Sequence, residues 1–133
     1  MPDISLFDTD ILIDAGRKVA DAVSYLEHAG QKTIIGISVI TQMELMVGCR
    51  SKAELNILEK FLRRFEVISL NEIISSRGIT LLRDYRLSHG LLIADALIAA
   101  TALTIEAPLT TKNRKHYQFI KGLELLSYPK VAF

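Results

Sequence analysis

The chain has 133 residues, half of them apolar and 23% charged, a length that suits one domain over 1–133 with a core needing no disulfide or metal staple. Sixteen basic against fifteen acidic side chains, a net charge of +1, exclude a protein that grips nucleic acid by overall charge and leave only a local basic patch open. Cys49 is the only cysteine, zinc-type Cys/His spacing is absent, and the Met-Pro-Asp opening is no basic and apolar leader, so a cytoplasmic protein is expected.

In chain order, residues 4–7 form an apolar run too continuous for a strand solvated on one face. The run ends in Phe7-Asp8-Thr9-Asp10, where one carboxylate closes the strand and another precedes a short helix. An aspartate here either caps the helix, which is worth about 1 kcal/mol, or serves chemistry at the carboxyl end of the strand. The cap is assigned to Asp10 and the functional role to Asp8. Residues 17–28 carry Val19, Val23 and Leu26 at helical spacing, and residues 33–37 read as a second strand. Residues 38–45 (SVITQMEL) lead from that strand into a helix. Within them Thr41 and Glu44 have capping-box spacing, so Glu44 stays open between a local cap and a site. Ser51 and Glu54 repeat the spacing ahead of a helix over 52–65, and there only capping is expected.

A third strand over 67–70 and a helix over 72–86 follow. Residues 90–109 (GLLIADALIAATALTIEAPL) approach the length of a membrane span. Asp95 lies inside them, and an acid near the centre of a span costs about 2.5 to 3.5 kcal/mol. Glu106 and Pro108 close the segment without a basic flank, so a buried central helix is predicted. Alanines at 96, 99, 100 and 102 let it pack closely, which leaves little room to hydrate Asp95. That carboxylate therefore needs a partner, and a functional role is preferred to a cap. Strands over 109–110 and 123–126 flank a basic stretch, Lys112, Arg114, Lys115 and Lys121, interleaved with Tyr117 and Phe119. Such a stretch is either a solvated surface or an RNA contact. Alternation of strand and helix predicts an α/β fold with a buried parallel sheet, right-handed crossovers and sites outside the carboxyl ends of the strands.

If Asp8, Glu44 and Asp95 converge, two carboxylates about 4 Å apart repel by about 4 kcal/mol at an effective dielectric near 20. No lysine or arginine lies in the first three motifs, so either a proton is shared or a divalent cation is bound. Oxygen ligands without a Cys/His cluster favour Mg²⁺ or Mn²⁺ over zinc, and phosphodiester chemistry is the natural use of such a site.

The ordered blocks FDTDILI, SVITQMEL, IADALIAATA and LTTKNRKHY, spread over nearly the whole chain, closely resemble the PIN-domain family and in particular VapC-type toxin ribonucleases of toxin-antitoxin pairs. The resemblance implies a three-layer α/β/α fold with a central, mainly parallel sheet. It also implies a Mg²⁺- or Mn²⁺-dependent endoribonuclease, a homodimer, and a cognate antitoxin that blocks the site. Asp8, Glu44 and Asp95 then become both the catalytic acids and the metal ligands. Thr9 and Thr111 resemble the small hydroxyl residues lining such sites, and Asn113 and Arg114 fall beside them. Where many members carry a fourth acid this chain has Asn113 and His116, which casts doubt on a second metal.

The expected chemistry is in-line attack by water on single-stranded RNA, leaving 5′-phosphate and 3′-hydroxyl ends. The apolar positions of the helices at 17–28 and 52–65 read first as ordinary core packing, and secondly as a cleft for an amphipathic antitoxin segment with a basic side chain entering the acidic pocket. Two rivals stand beside this reading. A haloacid-dehalogenase-type phosphatase would use Asp8 and Asp10, but Ile11-Leu12 replaces the Gly-Thr it needs. A catalytically weak module that binds RNA or a partner without efficient cleavage is the alternative that the missing fourth acid permits.

Overall fold

The computed structural model describes residues 3–128, so Met1 and Pro2 of the opening triplet and residues 129–133 lie outside it. Five parallel strands form one sheet in the order β3-β2-β1-β4-β5. They are β1 (Ile4–Phe7), β2 (Ile34–Ser38), β3 (Glu66–Ile68), β4 (Leu109–Thr111) and β5 (Leu125–Ser127). In register, β1 sets Ile4 opposite Ile34 on one side and Leu6 opposite Leu109 on the other. Successive side chains of a strand point to opposite faces, and here Leu6 and Phe7 enter two different cores. Leu6 packs with Ile74, Leu81, Ile98 and Leu109; Phe7 packs with Ile11, Leu12, Leu26 and Ile37. The result is the three-layer α/β/α arrangement.

Six helices connect the strands: α1 (Thr9–Gly16), α2 (Ala20–Lys32), α3 (Val39–Val47), α4 (Lys52–Leu62), α5 (Glu72–His89) and α6 (Ile93–Thr104). The second helix begins three residues later than the periodicity predicts. Arg17 N–H bonds back to the Ile13 and Asp14 carbonyls and so finishes α1, and Lys18 turns the chain at φ 61° before Val19 starts afresh. The fifth helix runs three residues beyond Arg86 and stops at Gly90, whose φ of 71° is the left-handed conformation that ends helices readily only at glycine. The long apolar segment resolves into α6 and β4. Twelve helical residues reach about 18 Å, and no helix among the described residues is long and apolar enough to cross a membrane.

Close packing of α6 is visible against α5, where a Cβ added at Gly78 would meet Leu97 Cδ2 at 2.9 Å. Ala96, Ala99, Ala100 and Ala102 are fully buried. The sheet order also marks the site. Succession runs outward from β1 through β2 to β3, then resumes on the other side with β4 and β5, so the switch in direction falls between β1 and β4. A crevice forms at such a point, outside the carboxyl ends of the strands.

Candidate active site

Asp8 stands at that switch point, immediately after β1. Its backbone N–H bonds the Thr110 carbonyl at 2.9 Å, tying it to the end of β4. Only 6% of the residue is exposed, and its carboxylate is held from three sides. Oδ1 accepts from the Thr9 N–H at 2.9 Å and from the Tyr117 hydroxyl at 3.1 Å, while Oδ2 accepts from the Thr111 hydroxyl at 2.8 Å. The cap of α1 is therefore Asp8, not Asp10 as the sequence suggests. The helix starts two residues earlier than expected, directly after the Asp8 N–H bonds the Thr110 carbonyl. Asp10 instead lies in the first turn and accepts a hydrogen bond from the Asn113 amide.

Asp95 arrives from a different layer. It is the third residue of α6, whose N-cap Leu92 has no side chain able to cap, and acids are favoured near a helix N-terminus. Its Oδ1 lies 3.1 Å from the same Tyr117 hydroxyl and shares its single proton with Asp8, and its Oδ2 faces His116 Nδ1 at 3.6 Å. One phenol thus spans Asp8 and Asp95.

Glu44 is held one residue away from that pair. Ser38, not Thr41, caps α3, its hydroxyl accepting from Ile40 N–H at 3.0 Å, because the helix follows β2 without a loop. The capping box read into Thr41 and Glu44 does not form. Thr41 and Glu44 instead lie on one helix face toward α1, since residues three apart are neighbours. The Thr9 hydroxyl pairs with that of Thr41 at 2.9 Å and donates to Glu44 Oε1 at 2.7 Å. The structure therefore brings Asp8 and Asp95 onto one hydroxyl and links Glu44 to them only through Thr9. The second box is real in its main bond, Glu54 N–H to Ser51 Oγ at 3.2 Å, although the Glu54 carboxylate reaches back to Arg50 N–H.

The basic stretch divides. Lys112 pairs with Asp14 at 3.0 Å, and Arg114, on a short 3-10 turn (Arg114–His116), donates to Ser127 Oγ at 3.3 Å. Arg114, Lys115 and Lys121 are exposed. Tyr117 is not a surface ring available to bases, as its place among the lysines suggests: it is fully buried. Its role at the acids is the one functional feature sequence reasoning missed. The only signal is its distance of six residues from Thr111, which no local pattern interprets. Phe119 stacks on His89 at 4.3 Å.

Burial pushes the Asp8 carboxyl above the usual carboxylate range; the charge of Asp10 adds to this, and the bonds from Thr111, Thr9 and Tyr117 oppose it. Burial also raises Asp95, with Asp10 again adding while Tyr117 and His116 oppose. The Tyr117 hydroxyl is driven well above its ordinary value, first by burial and then by the two carboxylates, so it remains a donor. Both acids thus crowd negative charge where water is scarce, and the donors on Asp8 are neutral. A cation fits that environment. Among the described residues no group of three or more His, Cys, Asp or Glu side chains is spaced to hold a metal ion. Magnesium, however, is commonly held by only one or two carboxylates with water and phosphate completing its shell, and the donor set of Asp8 and Asp95 suits that hard ion.

Clefts border the two helical segments that the sequence marks out. A groove of about 510 Å³ runs between α1, α3 and α4, lined by Leu12, Leu45, Ile57, Leu58 and Phe61 and reaching Glu44. A second cleft of about 330 Å³ lies between α2 and the residues just after α4, lined by Leu26, Glu27, Arg64 and Phe65, inside the two segments that the sequence marks out.

Residues 5–121 match the PIN domain family. The sequence is similar to ribonuclease VapC10 of Mycobacterium tuberculosis, 35% identical over 120 residues that make up 90% of each chain. Among solved structures, VapBC2 of Rickettsia felis bound to a DNA fragment from its promoter superposes with a TM-score of 0.81 at 29% identity, covering 94% of this chain and 98% of that one. A toxin-antitoxin complex from Klebsiella pneumoniae superposes at 0.78 with 32% identity, covering 95% and 98%. With sequence and fold in agreement along nearly its whole length, the chain belongs to the PIN domain family.

Proposed function

We propose that the chain is a Mg²⁺- or Mn²⁺-dependent endoribonuclease acting on single-stranded RNA, the toxin of a pair neutralised by a cognate antitoxin. The observation that carries this reading is the meeting of Asp8 and Asp95, 87 positions apart in the sequence, on the Tyr117 hydroxyl at the switch point of the sheet. Similarity to a VapC ribonuclease over nine-tenths of the chain supports the substrate class. When bound, the divalent ion supplies Lewis acidity toward a phosphoryl oxygen and acidifies a water. Asp8 and Asp95 would hold it, and Glu44, steadied by Thr9, would either join them or orient a water. Thr111 fixes Asp8, and Asn113 restrains Asp10. The exposed Arg114, Lys115 and Lys121 meet the phosphate backbone beside the pocket.

The groove between α1, α3 and α4 supports an amphipathic antitoxin segment, and its continuity with Glu44 supports a basic antitoxin side chain entering the acidic pocket in competition with metal. Ile79, Leu87, Leu92 and Ile93 form an exposed apolar patch that supports a homodimer.

Single-stranded RNA incubated with the full chain and Mg²⁺ tests the reading. Cleavage to 5′-phosphate and 3′-hydroxyl ends, abolished by chelator and reduced more than about 100-fold in Asp8→Asn and Asp95→Asn with the fold intact, is the expected outcome. Ends carrying 2′,3′-cyclic phosphate, or cleavage indifferent to chelator, overturn it. Binding of RNA without cleavage selects the weak-module alternative, which Asn113 and His116 in place of acids favour.

A further inference from the structure

We propose that Tyr117 is a positioning residue for the acidic pair, its hydroxyl fixing the spacing of Asp8 and Asp95 and selecting which oxygen of each faces the pocket. The inference rests on the reading above that these two acids hold the ion. The phenol is delivered by a rigid arm. Its ring is fully buried in the core that contains Leu6, Ala96 and Leu109, and its backbone is pinned on both sides, N–H to the Arg114 carbonyl at 3.0 Å and carbonyl to the Ile120 N–H at 2.9 Å. The hydroxyl ends 3.1 Å from Oδ1 of Asp8 and 3.1 Å from Oδ1 of Asp95, so these two oxygens lie within twice that distance of each other.

A carboxylate oxygen accepts about two hydrogen bonds. Oδ1 of Asp8 accepts from Thr9 N–H and shares the single Tyr117 proton with Asp95, whereas Oδ2 accepts one bond, from Thr111. Oδ1 of Asp95 is likewise engaged by Tyr117, leaving Oδ2 facing only the exposed His116 at 3.6 Å. The spare acceptor capacity of Asp8 is therefore on Oδ2, and the phenol biases Asp95 the same way. A phenylalanine at 117 would fill the same space but leave Asp95 free to turn and Asp8 held by Thr9 and Thr111 alone, with nothing bridging the two charges. Partners of this kind, which orient a ligand without touching the metal, are worth about 10- to 100-fold in metal affinity.

Mn²⁺ binding to the full chain, followed by electron paramagnetic resonance, separates the outcomes. Tyr117→Phe is expected to melt cooperatively yet bind Mn²⁺ about tenfold or more weakly than wild type. The chain has four tyrosines and no tryptophan, so tyrosine absorbance and emission are not masked. A saturable tyrosine difference signal on titrating wild type with Mg²⁺ is expected, absent from Tyr117→Phe. Unchanged or tighter Mn²⁺ binding by Tyr117→Phe overturns the positioning role while leaving the metal site standing. Failure of wild type to bind Mn²⁺ removes the nuclease reading and this inference with it. If Tyr117→Phe does not fold, the wild-type Mg²⁺ titration decides: a tyrosine signal supports the role and silence overturns it.

Discussion

Asp8 does two things that sequence patterns treat as alternatives. One oxygen bonds the first N–H of α1, while the carboxylate as a whole is turned to Thr111 and Tyr117 across the sheet edge. Burial is the larger effect on its proton affinity and outweighs three hydrogen bonds, as it outweighs the bonds on Asp95. The sign of the consequence follows from linkage. Both acids bind a proton more tightly folded than unfolded, so their contribution to stability is fully present below the unfolded value of about 3.9 and is lost as pH rises through the raised folded value. Thermal melts of chelated protein should therefore show a midpoint that falls across this window relative to Asp8→Asn. Saturating Mg²⁺ should restore the midpoint at neutral pH by mass action. Parallel pH profiles for wild type and Asp8→Asn in chelator would contradict this account.

At the scale of the elements, the junction between β2 and α3 decides where Glu44 goes. The strand passes straight into the helix, Ser38 is fully buried, and its hydroxyl satisfies Ile40 N–H. Removing that bond leaves a buried donor without a partner, and loss of such a cap costs about 1 kcal/mol. Ser38→Ala is expected to lower the urea midpoint accordingly, whereas Ser51→Ala, at an exposed cap, should cost no more than this. An unchanged midpoint in Ser38→Ala would mean that backbone contacts alone start the helix. The pairing of α5 with α6 has a similar local cause, since glycine at 78 and the alanines of α6 bring the two helices close enough to hold Asp95 at the crevice.

For the whole molecule, Glu44 joins the two regions: it lines the apolar groove and accepts a hydrogen bond from Thr9, the neighbour of Asp8. A partner seated in the groove is thus able to reach the acids. Ile57 projects from α4 into this groove and is 68% exposed, so changing it leaves the core alone. Ile57→Asp places a charge where an apolar antitoxin face is expected, and affinity for the product of the adjacent gene should fall by about 1 to 2 kcal/mol, the scale of a truncated interface anchor. Titration calorimetry reads that change, and RNA cleavage by the free chain should be unaffected. Equal affinity in Ile57→Asp would move the partner to another face.

The order of the elements, the buried parallel character of the strands, the closeness of α6 to its neighbour and the Ser51 cap were all legible in the sequence, because periodicity, small-residue spacing and capping are local and repeat within a few positions. Asp8, Glu44 and Asp95 stood out as acids in unusual company for the same reason. Which of them meet was not local information. It depended on β1 and β4 lying side by side and on the first turn of α6 meeting Tyr117, contacts between residues up to about a hundred positions apart. Only that tertiary arrangement turned Tyr117 from one aromatic among lysines into the hydroxyl between two carboxylates, gave the caps of α1 and α3 to Asp8 and Ser38, and set Glu44 one threonine away from the pair.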